Sequence, residues 1–172
     1  MDQNSAQPSA WHWVNRESFD KLKDCIATLG EEPQPGRIAR AIVDARQKNT
    51  IDTTGQLAAL VERAYPAAWR AKARRHPATR TFQALRMAVN DELGELRRFL
   101  DQILTWLPIG GRLAVTTFHS LEDRMVKQAM RHWVESFRCP RHIPRGSAGI
   151  GSIMVGPDYS TSSTTAAIAI SI

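Results

Sequence analysis

Three neighbouring residues, Phe118, His119 and Ser120, have side chains able to hold a substrate. They follow a short, β-branched, mostly apolar segment and precede a helical pattern, so a strand should end and a helix begin at this point. The free amides of a helix N-terminus favour an acceptor or an anion there. We therefore interpret the three residues as a candidate catalytic site, in which Phe118 stacks on a flat ring and His119 or Ser120 contacts the substrate. In the structural alternative, Ser120 only caps the helix and His119 only binds backbone.

A second set of residues carries positive charge and leads into a predicted helix. No acidic residue lies between positions 70 and 90, so these side chains create a local field that phosphate contacts would use. For His76, a structural or phosphate-facing role is favoured over catalysis. The predicted nucleic-acid contacts are Arg70, Lys72, Arg74, Arg75, His76, Arg80 and Arg86.

The composition agrees with a globular protein that has a polyanionic partner. The 172 residues are 42% hydrophobic, and 23 Lys and Arg against 17 Asp and Glu give a net charge of +6. Cys25 and Cys139 stand alone, which predicts neither a disulfide framework nor a zinc site and favours a reducing compartment. No apolar run approaches the roughly 18 residues of a membrane span, so we expect a soluble protein. No cluster of metal-ligating residues is visible in the sequence, so no metal centre is expected.

Helical patterns fill the chain from Trp11 to Pro108, after a start at residues 1–10 that is expected to be disordered. Three short helices are predicted first, and each has an apolar stripe: Phe19, Leu22, Ile26 and Leu29; Ile38, Ala41, Ile42 and Ala45; and Leu57, Leu60, Val61 and Ala64. The third helix begins with a capping box formed by Thr53 and Gln56. A single helix of about six turns should follow, capped by Thr79 or Thr81. Its apolar stripe consists of Phe82, Leu85, Val89, Leu93, Leu96, Leu100, Ile103 and Leu104.

The C-terminal part predicts one step of an alternating α/β sheet. The segment from Arg112 to Thr117 has the pattern of a buried parallel strand, and Ser120 with Asp123 fits a capping box for the next helix. Glu122, with its two following neighbours, is expected to serve that helix start and ion pairing. Strands at 153–155 and 166–172 should pair at the edge of the sheet.

Three segments carry a resemblance to a known family. They are RIARAIVDAR from Arg37, HPATRTFQALRMAVNDELGEL from His76 and GGRLAVTTFHSLEDRMVK from Gly110. In this order they resemble the MraW-type (RsmH) family, whose members use S-adenosylmethionine to methylate the N4 of a cytidine in small-subunit (16S) ribosomal RNA.

The resemblance implies an α/β fold, namely the later strands of a Rossmann-like methyltransferase sheet preceded by an α-helical insertion subdomain. It assigns residues 11–78 to an RNA-binding insertion and residues 79–172 to the long helix and the C-terminal part of the α/β domain. It also implies a cytoplasmic protein whose partner is small-subunit rRNA or the assembling small subunit. The family's glycine-rich loop and Asp-Leu-Gly segment precede this region and are absent here, so no cofactor-binding residue is assigned. A missing N-terminal half or a second copy is the expected protein partner.

Three functions remain open at this point. The chain is either part of a cytosine-N4 methyltransferase or a non-catalytic remnant that binds rRNA or the assembling small subunit. A third hypothesis is a helical module that docks a protein through Trp11, Trp13 and Trp69.

Overall fold

A computed structural model describes residues 9–66, 69, 76–108 and 112–136, together with the backbone of 153–155 and 166–171. The predictions for residues 1–8, Cys139, and the basic residues Arg70, Lys72, Arg74 and Arg75 lie outside this part of the chain. The chain divides into two compact units, residues 1–92 and 93–172, which we describe separately.

The first unit is helical in its described part. It contains α1 (Ala10–Arg16), α2 (Phe19–Thr28), α3 (Pro35–Arg46), α4 (Thr54–Ala64) and α5 (Thr79–Asn90). The sequence interpretation joined α5 to the following sheet, whereas it lies within this first unit.

Short polar side chains begin three of these helices, and at α2 the hydroxyl of Ser18 accepts from the amide of Lys21. The hydroxyl of Ser9 caps α1, and Thr53 and Gln56 form the predicted capping box at the start of α4. The capping box is therefore confirmed. Because Ser9 and Ala10 belong to the start of α1, the disorder expected for residues 1–10 is wrong at these two positions.

Aliphatic side chains from α2 and α3 form the centre of the first unit's core. Leu22, Ile26, Ile38 and Ile42 are completely buried, and Leu57 and Val61 of α4 pack in the same cluster. Complete burial of such a side chain contributes about 1.5–3 kcal/mol relative to exposure. The predicted apolar stripes of the three short helices are thus the faces that the unit buries.

The predicted long helix is in fact two helices. α5 ends at Asn90, and α6 (Glu92–Trp106) begins two residues later. Between them Asp91 adopts the left-handed conformation, with φ of 48° and ψ of 40°, and its amide donates to the carbonyl of Met87. Asp tolerates this conformation better than most residues do, so the apolar pattern continues across a break without Gly or Pro. The prediction of one uninterrupted helix is therefore wrong.

The start of α5 also differs from the prediction. Its N-cap residue is Ala78, and Thr79 is already the first helical residue. Thr81 is completely buried, and its hydroxyl has no hydrogen-bond partner within the described ranges. The Nδ1 atom of His76 instead accepts a hydrogen bond from the amide of Ala78 at 3.1 Å. Capping by Thr79 or Thr81 is wrong, and His76 orders the approach to the helix.

A small sheet and a helix follow α6 in the second unit. The elements are β1 (Arg112–Thr117), α7 (Ser120–Ser136), β2 (Ile153–Val155) and β3 (Ala166–Ser171). β3 lies between β1 and β2 and pairs antiparallel with both. The expected pairing of the two late strands is confirmed, but β3 is the central strand of the described sheet rather than an edge strand.

β1 is neither parallel to its described neighbour nor fully buried. Its register places Arg112 opposite Ser171 and Thr117 opposite Ala166, because β3 returns along it in the opposite direction. Leu113 and Thr117 are buried, whereas the residues on either side of Leu113 are exposed. This alternation is typical of a strand that buries one face. The prediction of a buried parallel strand is wrong for these elements.

The described core of the second unit lies between α6, β1 and α7. Leu100, Leu113, Val126 and Met130 form its buried cluster. Helices and a sheet both occur, as predicted, but the described strands pair antiparallel and do not by themselves form the predicted Rossmann-like sheet. Among the described helices, none is long and apolar enough to cross a lipid bilayer.

Candidate functional site

The candidate catalytic residues occupy the junction between β1 and α7. β1 ends at Thr117 and α7 begins at Ser120, so Phe118 and His119 form the whole connection. Thr117 is 1% exposed, and Val126 of α7 is completely buried. The strand end of the connection is therefore fixed by a buried residue, and the helix that follows it is anchored in the core from Val126. We call Phe118, His119 and Ser120 together the rim.

Phe118 is the most exposed large apolar residue among those described. Its exposed fraction is 75%, compared with 66% for Trp106. The backbone is nevertheless held, because the amide of Phe118 donates to Oε2 of Glu122 at 3.0 Å. A charge-assisted bond of this kind is about twice as strong as a neutral one. The ring is thus exposed on a fixed backbone, which is the arrangement that stacking on a planar ligand requires.

His119 faces the protein rather than solvent. Its Nδ1 atom lies 3.5 Å from the amide of Glu122, at the long limit of a hydrogen bond. Its Nε2 atom lies 3.0 Å from Oε1 of Glu122. The geometry of this second contact falls short of a hydrogen bond, and Nε2 is shielded from solvent. Both ring nitrogens therefore lie against Glu122.

The helix cap differs from the predicted one. Ser120 is the first residue of α7, and the carbonyl of His119 accepts from the amide of Asp123 at 3.1 Å. The carboxylate of Asp123 pairs with Lys127 at 2.9 Å. A capping box of Ser120 with Asp123 is therefore wrong. His119 precedes the helix instead, and the Glu122 carboxylate accepts from the amide of Phe118, one residue before the position that a capping box would use.

Glu122 is the residue whose importance the sequence interpretation understated. Its expected role at the helix start is confirmed, but its contacts with both Phe118 and His119 were not foreseen. The signal that was available is a Glu three residues after His119. A Glu three residues after the N-cap is the spacing of a capping box, if the N-cap is His119 rather than Ser120.

Three of the predicted nucleic-acid contacts, His76, Arg80 and Arg86, lie among the described residues, and their hydrogen-bond partners differ. Arg80 donates to the carbonyl of Glu31 at 3.0 Å. Arg86 forms a bidentate pair with Glu92, with Nε–Oε1 and Nη2–Oε2 distances of 2.8 and 3.0 Å. The charge of Arg86 is thereby partly neutralised, whereas the described hydrogen bond of Arg80 goes from Nη1 to a neutral carbonyl. His76 remains exposed beside them in the sequence.

A buried acidic residue and two aromatic rings lie next to the approach to α5. Tyr65 donates its hydroxyl proton to Glu32, which is 4% exposed, and the Tyr65 ring lies 6.5 Å from that of Trp69. Burial, followed by the bond and charge of Glu32, raises the pKa of Tyr65, and the positive charge of Arg80 opposes the rise. Trp69 is 47% exposed.

The other tryptophans of the docking hypothesis are tied into the first unit. Trp11 donates from Nε1 to Asp52 at 2.9 Å, and this bond is the largest cause of the lowered pKa of Asp52. The guanidinium of Arg16 lies 5.9 Å from the Trp11 ring. Trp13 packs against the core. These contacts give Trp11 and Trp13 structural roles.

Comparison with known proteins gives one consistent family. The model of the MraW methylase family matches residues 1–153. A protein of Desulfovibrio desulfuricans named ribosomal RNA small subunit methyltransferase H is 95% identical over 149 residues, which are 87% of this chain and 46% of that protein. Proteins of the same name from Nitratidesulfovibrio vulgaris and Lawsonia intracellularis are 71% and 55% identical over 144 residues, which are 84% of this chain and 45% and 46% of those proteins.

The chain thus spans less than half the length of these relatives. The family match itself covers most of the chain, and it includes α1 through α7 and the rim. This chain belongs to the MraW methylase family.

Proposed function

We propose that this chain supplies the RNA-facing helices and the substrate-side rim of a cytosine-N4 methyltransferase that acts on small-subunit (16S) rRNA with S-adenosylmethionine. The family match and the names of the relatives support the reaction class. The observation that carries the role of this chain is the Phe118 ring, exposed on a backbone that Glu122 fixes.

The chemistry of cytosine N4 explains what the rim would contribute. The amine lone pair is delocalised into the ring, so transfer requires an acceptor near the N–H and a methyl group aligned with nitrogen. A cytosine must leave its stack to reach such a site, and an aromatic side chain is the usual surface that receives a flipped base. Phe118 is suited to that stacking, with His119 and Ser120 beside it.

The described residues do not form a cradle for S-adenosylmethionine. In open α/β sheets a glycine-rich turn after a strand permits close approach of the backbone to the cofactor. β1 instead leads into Phe118 and His119. We therefore propose that the cofactor site lies in sequence equivalent to the remaining length of the relatives. In this arrangement β1 and α7 belong to the later part of a Rossmann-like sheet, and the protein is cytoplasmic.

The basic residues leading into α5 would bind the rRNA backbone. Arg80 has no described carboxylate contact, and the sequence around it from Arg70 to His76 is basic. Changing Arg74, Arg75 and Arg80 together to Ala should weaken rRNA binding and reduce the slope of log K against log salt by about 2, at about 0.7 per single-strand contact. Arg86→Ala, which removes a charge already paired with Glu92, should change the slope less. An unchanged slope in the triple variant would place RNA binding elsewhere.

A complementation assay tests the enzymatic proposal. The chain would be co-expressed with the part of the D. desulfuricans relative that it does not match, and N4-methylcytidine in small-subunit rRNA would be measured. We expect methylation only when both parts are present. If the pair assembles and binds both S-adenosylmethionine and rRNA without methylating, the non-catalytic RNA-binding alternative is favoured. Sedimentation of this chain alone separately tests self-association.

A further inference from the structure

We propose that Glu122 is the positioning residue of the rim, with one carboxylate oxygen holding Phe118 and the other lying against His119. This inference rests on the proposed function for its catalytic consequence. Its structural part stands on three contacts: Oε2 with the amide of Phe118 at 3.0 Å, Oε1 with Nε2 of His119 at 3.0 Å, and the Glu122 amide with Nδ1 of His119 at 3.5 Å.

The helix core brings Glu122 to the end of the strand. Glu122, Val126 and Met130 follow at four-residue steps, so they share one face of α7. Val126 is completely buried and Met130 is 1% exposed. The face that packs on the core therefore carries the Glu122 carboxylate at its first turn. From that position one oxygen of the carboxylate accepts the hydrogen bond of the Phe118 amide, just beyond the end of β1.

The same contacts separate the roles of Phe118 and His119. A group that accepts a proton or an amine N–H from a substrate must present a lone pair within about 2.6–3.2 Å of it. Nε2 of His119 is shielded from solvent, and Nδ1 faces the Glu122 amide. His119 is therefore a positioning residue in this arrangement, and the substrate contact is the Phe118 ring. Glu122 and His119 do not contact the substrate themselves. They affect it by setting the orientation of the Phe118 ring.

Amide hydrogen exchange on this chain alone tests the holding contact. In the Glu122→Ala variant we expect the Phe118 amide to exchange at least about tenfold faster, because a charge-assisted hydrogen bond is lost. Glu122→Gln keeps one acceptor oxygen and should give an intermediate rate. Glu95→Ala is a matched control, since the Glu95 side chain is exposed and pairs with Arg98 on the surface of α6. Equal Phe118 exchange in wild type and Glu122→Ala would overturn the proposal.

A double-mutant cycle in the complemented enzyme tests the catalytic consequence. If Glu122 acts through Phe118, Glu122→Ala should lower methyl transfer about tenfold in wild type but less than about twofold in the Phe118→Ala background. Equal fold-losses in both backgrounds would mean a merely structural role and would overturn the positioning assignment. If Phe118→Ala itself leaves turnover unchanged, the proposed function of the rim fails, while the exchange experiment still decides whether Glu122 holds the Phe118 amide.

Discussion

The two units use their described polar side chains differently. In the first unit, besides local helix caps, several of these side chains join distant segments: Arg46 donates to the carbonyls of Val14 and Glu17, and Asn15 forms hydrogen bonds in both directions with Ile51. In the second unit the described contacts are local.

The local contacts of the second unit connect residues three or four positions apart. Examples are Phe118 with Glu122, Asp123 with Lys127 and Glu95 with Arg98. The first unit therefore depends on tertiary packing to keep its polar groups satisfied, whereas the rim is assembled within one helical turn. Substitutions at the rim should lower activity with little change in the free energy of unfolding. Substitutions in the helical core should mainly lower the free energy of unfolding.

The largest expected effect is in the core of the first unit. Ile42→Ala removes three carbons from a completely buried position in α3, and such truncations cost about 2–5 kcal/mol. Urea unfolding followed by circular dichroism measures the loss. Val43→Ala is the matched control, because Val43 is only partly buried. A loss below about 1 kcal/mol for Ile42→Ala would contradict the view that packing determines the stability of this unit.

A smaller effect is expected where backbone segments of the first unit approach closely. A Cβ on Gly30 would lie 2.6 Å from the carbonyl oxygen of Ile26 and 2.8 Å from that of Arg80, and neither backbone group can move freely. Gly30→Ala should therefore cost about 1–3 kcal/mol.

Gly36 provides the opposite case in the same unit. A Cβ there meets nothing within 4 Å, and Gly36 lies within α3. Gly36→Ala should stabilise the chain by about 0.5–1 kcal/mol, because Ala favours the helix and restricts the unfolded chain. A urea midpoint of Gly30→Ala that does not fall below that of wild type would contradict the close approach at Gly30, and a midpoint of Gly36→Ala that falls would contradict the open space at Gly36.

The sequence predicts the locally determined features well. The capping box at α4 and the apolar stripes of the short helices depend on residues within one or two turns, and these predictions are confirmed. The strand-to-helix junction at Phe118 and His119 is also where the sequence predicts it. These features share one property, which is that neighbours in the chain decide them.

The predictions that are wrong depend on contacts or conformations that a local pattern does not encode. The break at Asp91 is a left-handed residue without Gly, beside a Glu92 that binds Arg86 six positions earlier. The direction of β1 is decided by β3, about 50 residues later in the chain, which no periodicity in β1 can report. At the rim, His119 rather than Ser120 lies at the cap position, because the amide of Glu122 faces Nδ1 of His119 and the carboxylate of Glu122 accepts from the amide of Phe118. The spacing of the residues alone does not reveal these two contacts.

The rim should separate activity from stability. Phe118→Ala removes a ring that is 75% exposed, so its effect on unfolding should stay within about 0.5 kcal/mol. If the ring stacks on the target base, methyl transfer by the complemented enzyme should fall about tenfold, since stacking contributes about 1–3 kcal/mol. His119→Ala should also lower methyl transfer, because it removes the contact of the imidazole with Glu122, the residue that holds the backbone of Phe118. Turnover and melting temperature would be measured on the same samples.

An exposed aromatic residue of the second unit serves as the control. Trp106→Ala removes a ring that is 66% exposed and lies outside the rim, and we expect unchanged turnover. Equal turnover per folded molecule in wild type, Phe118→Ala and His119→Ala would mean that the rim is scaffold only. The acceptor for the cytosine amine would then lie outside this chain.

The smallest expected effect is a pH dependence in the helical unit. Cys25 is buried, its thiol contacts the carbonyl of Ala84 at 3.7 Å, and burial raises the pKa of the thiol from 9.0 to about 11. The folded chain therefore keeps this proton at a pH where the unfolded chain has lost it. The stabilisation by the thiol is fully present below pH 9 and is lost as the pH rises through about 11.

The Cys25→Ala variant isolates this contribution, because other groups with raised pKa values, such as Tyr65, titrate in both proteins. The free energy of unfolding would be measured at pH 7.5 and at pH 10.5 for wild type and variant under reducing conditions. At the lower pH, wild type should be the more stable, since the variant loses a buried sulfur. That advantage should shrink at the higher pH, because only wild type gains stability of its unfolded state from thiolate formation. An advantage that stays constant would mean that the thiol ionises equally well in both states. Such a result would contradict the close packing of α2 against α5 at Cys25. That packing is one of the long-range contacts that distinguish the first unit from the second, whose described polar side-chain contacts are local.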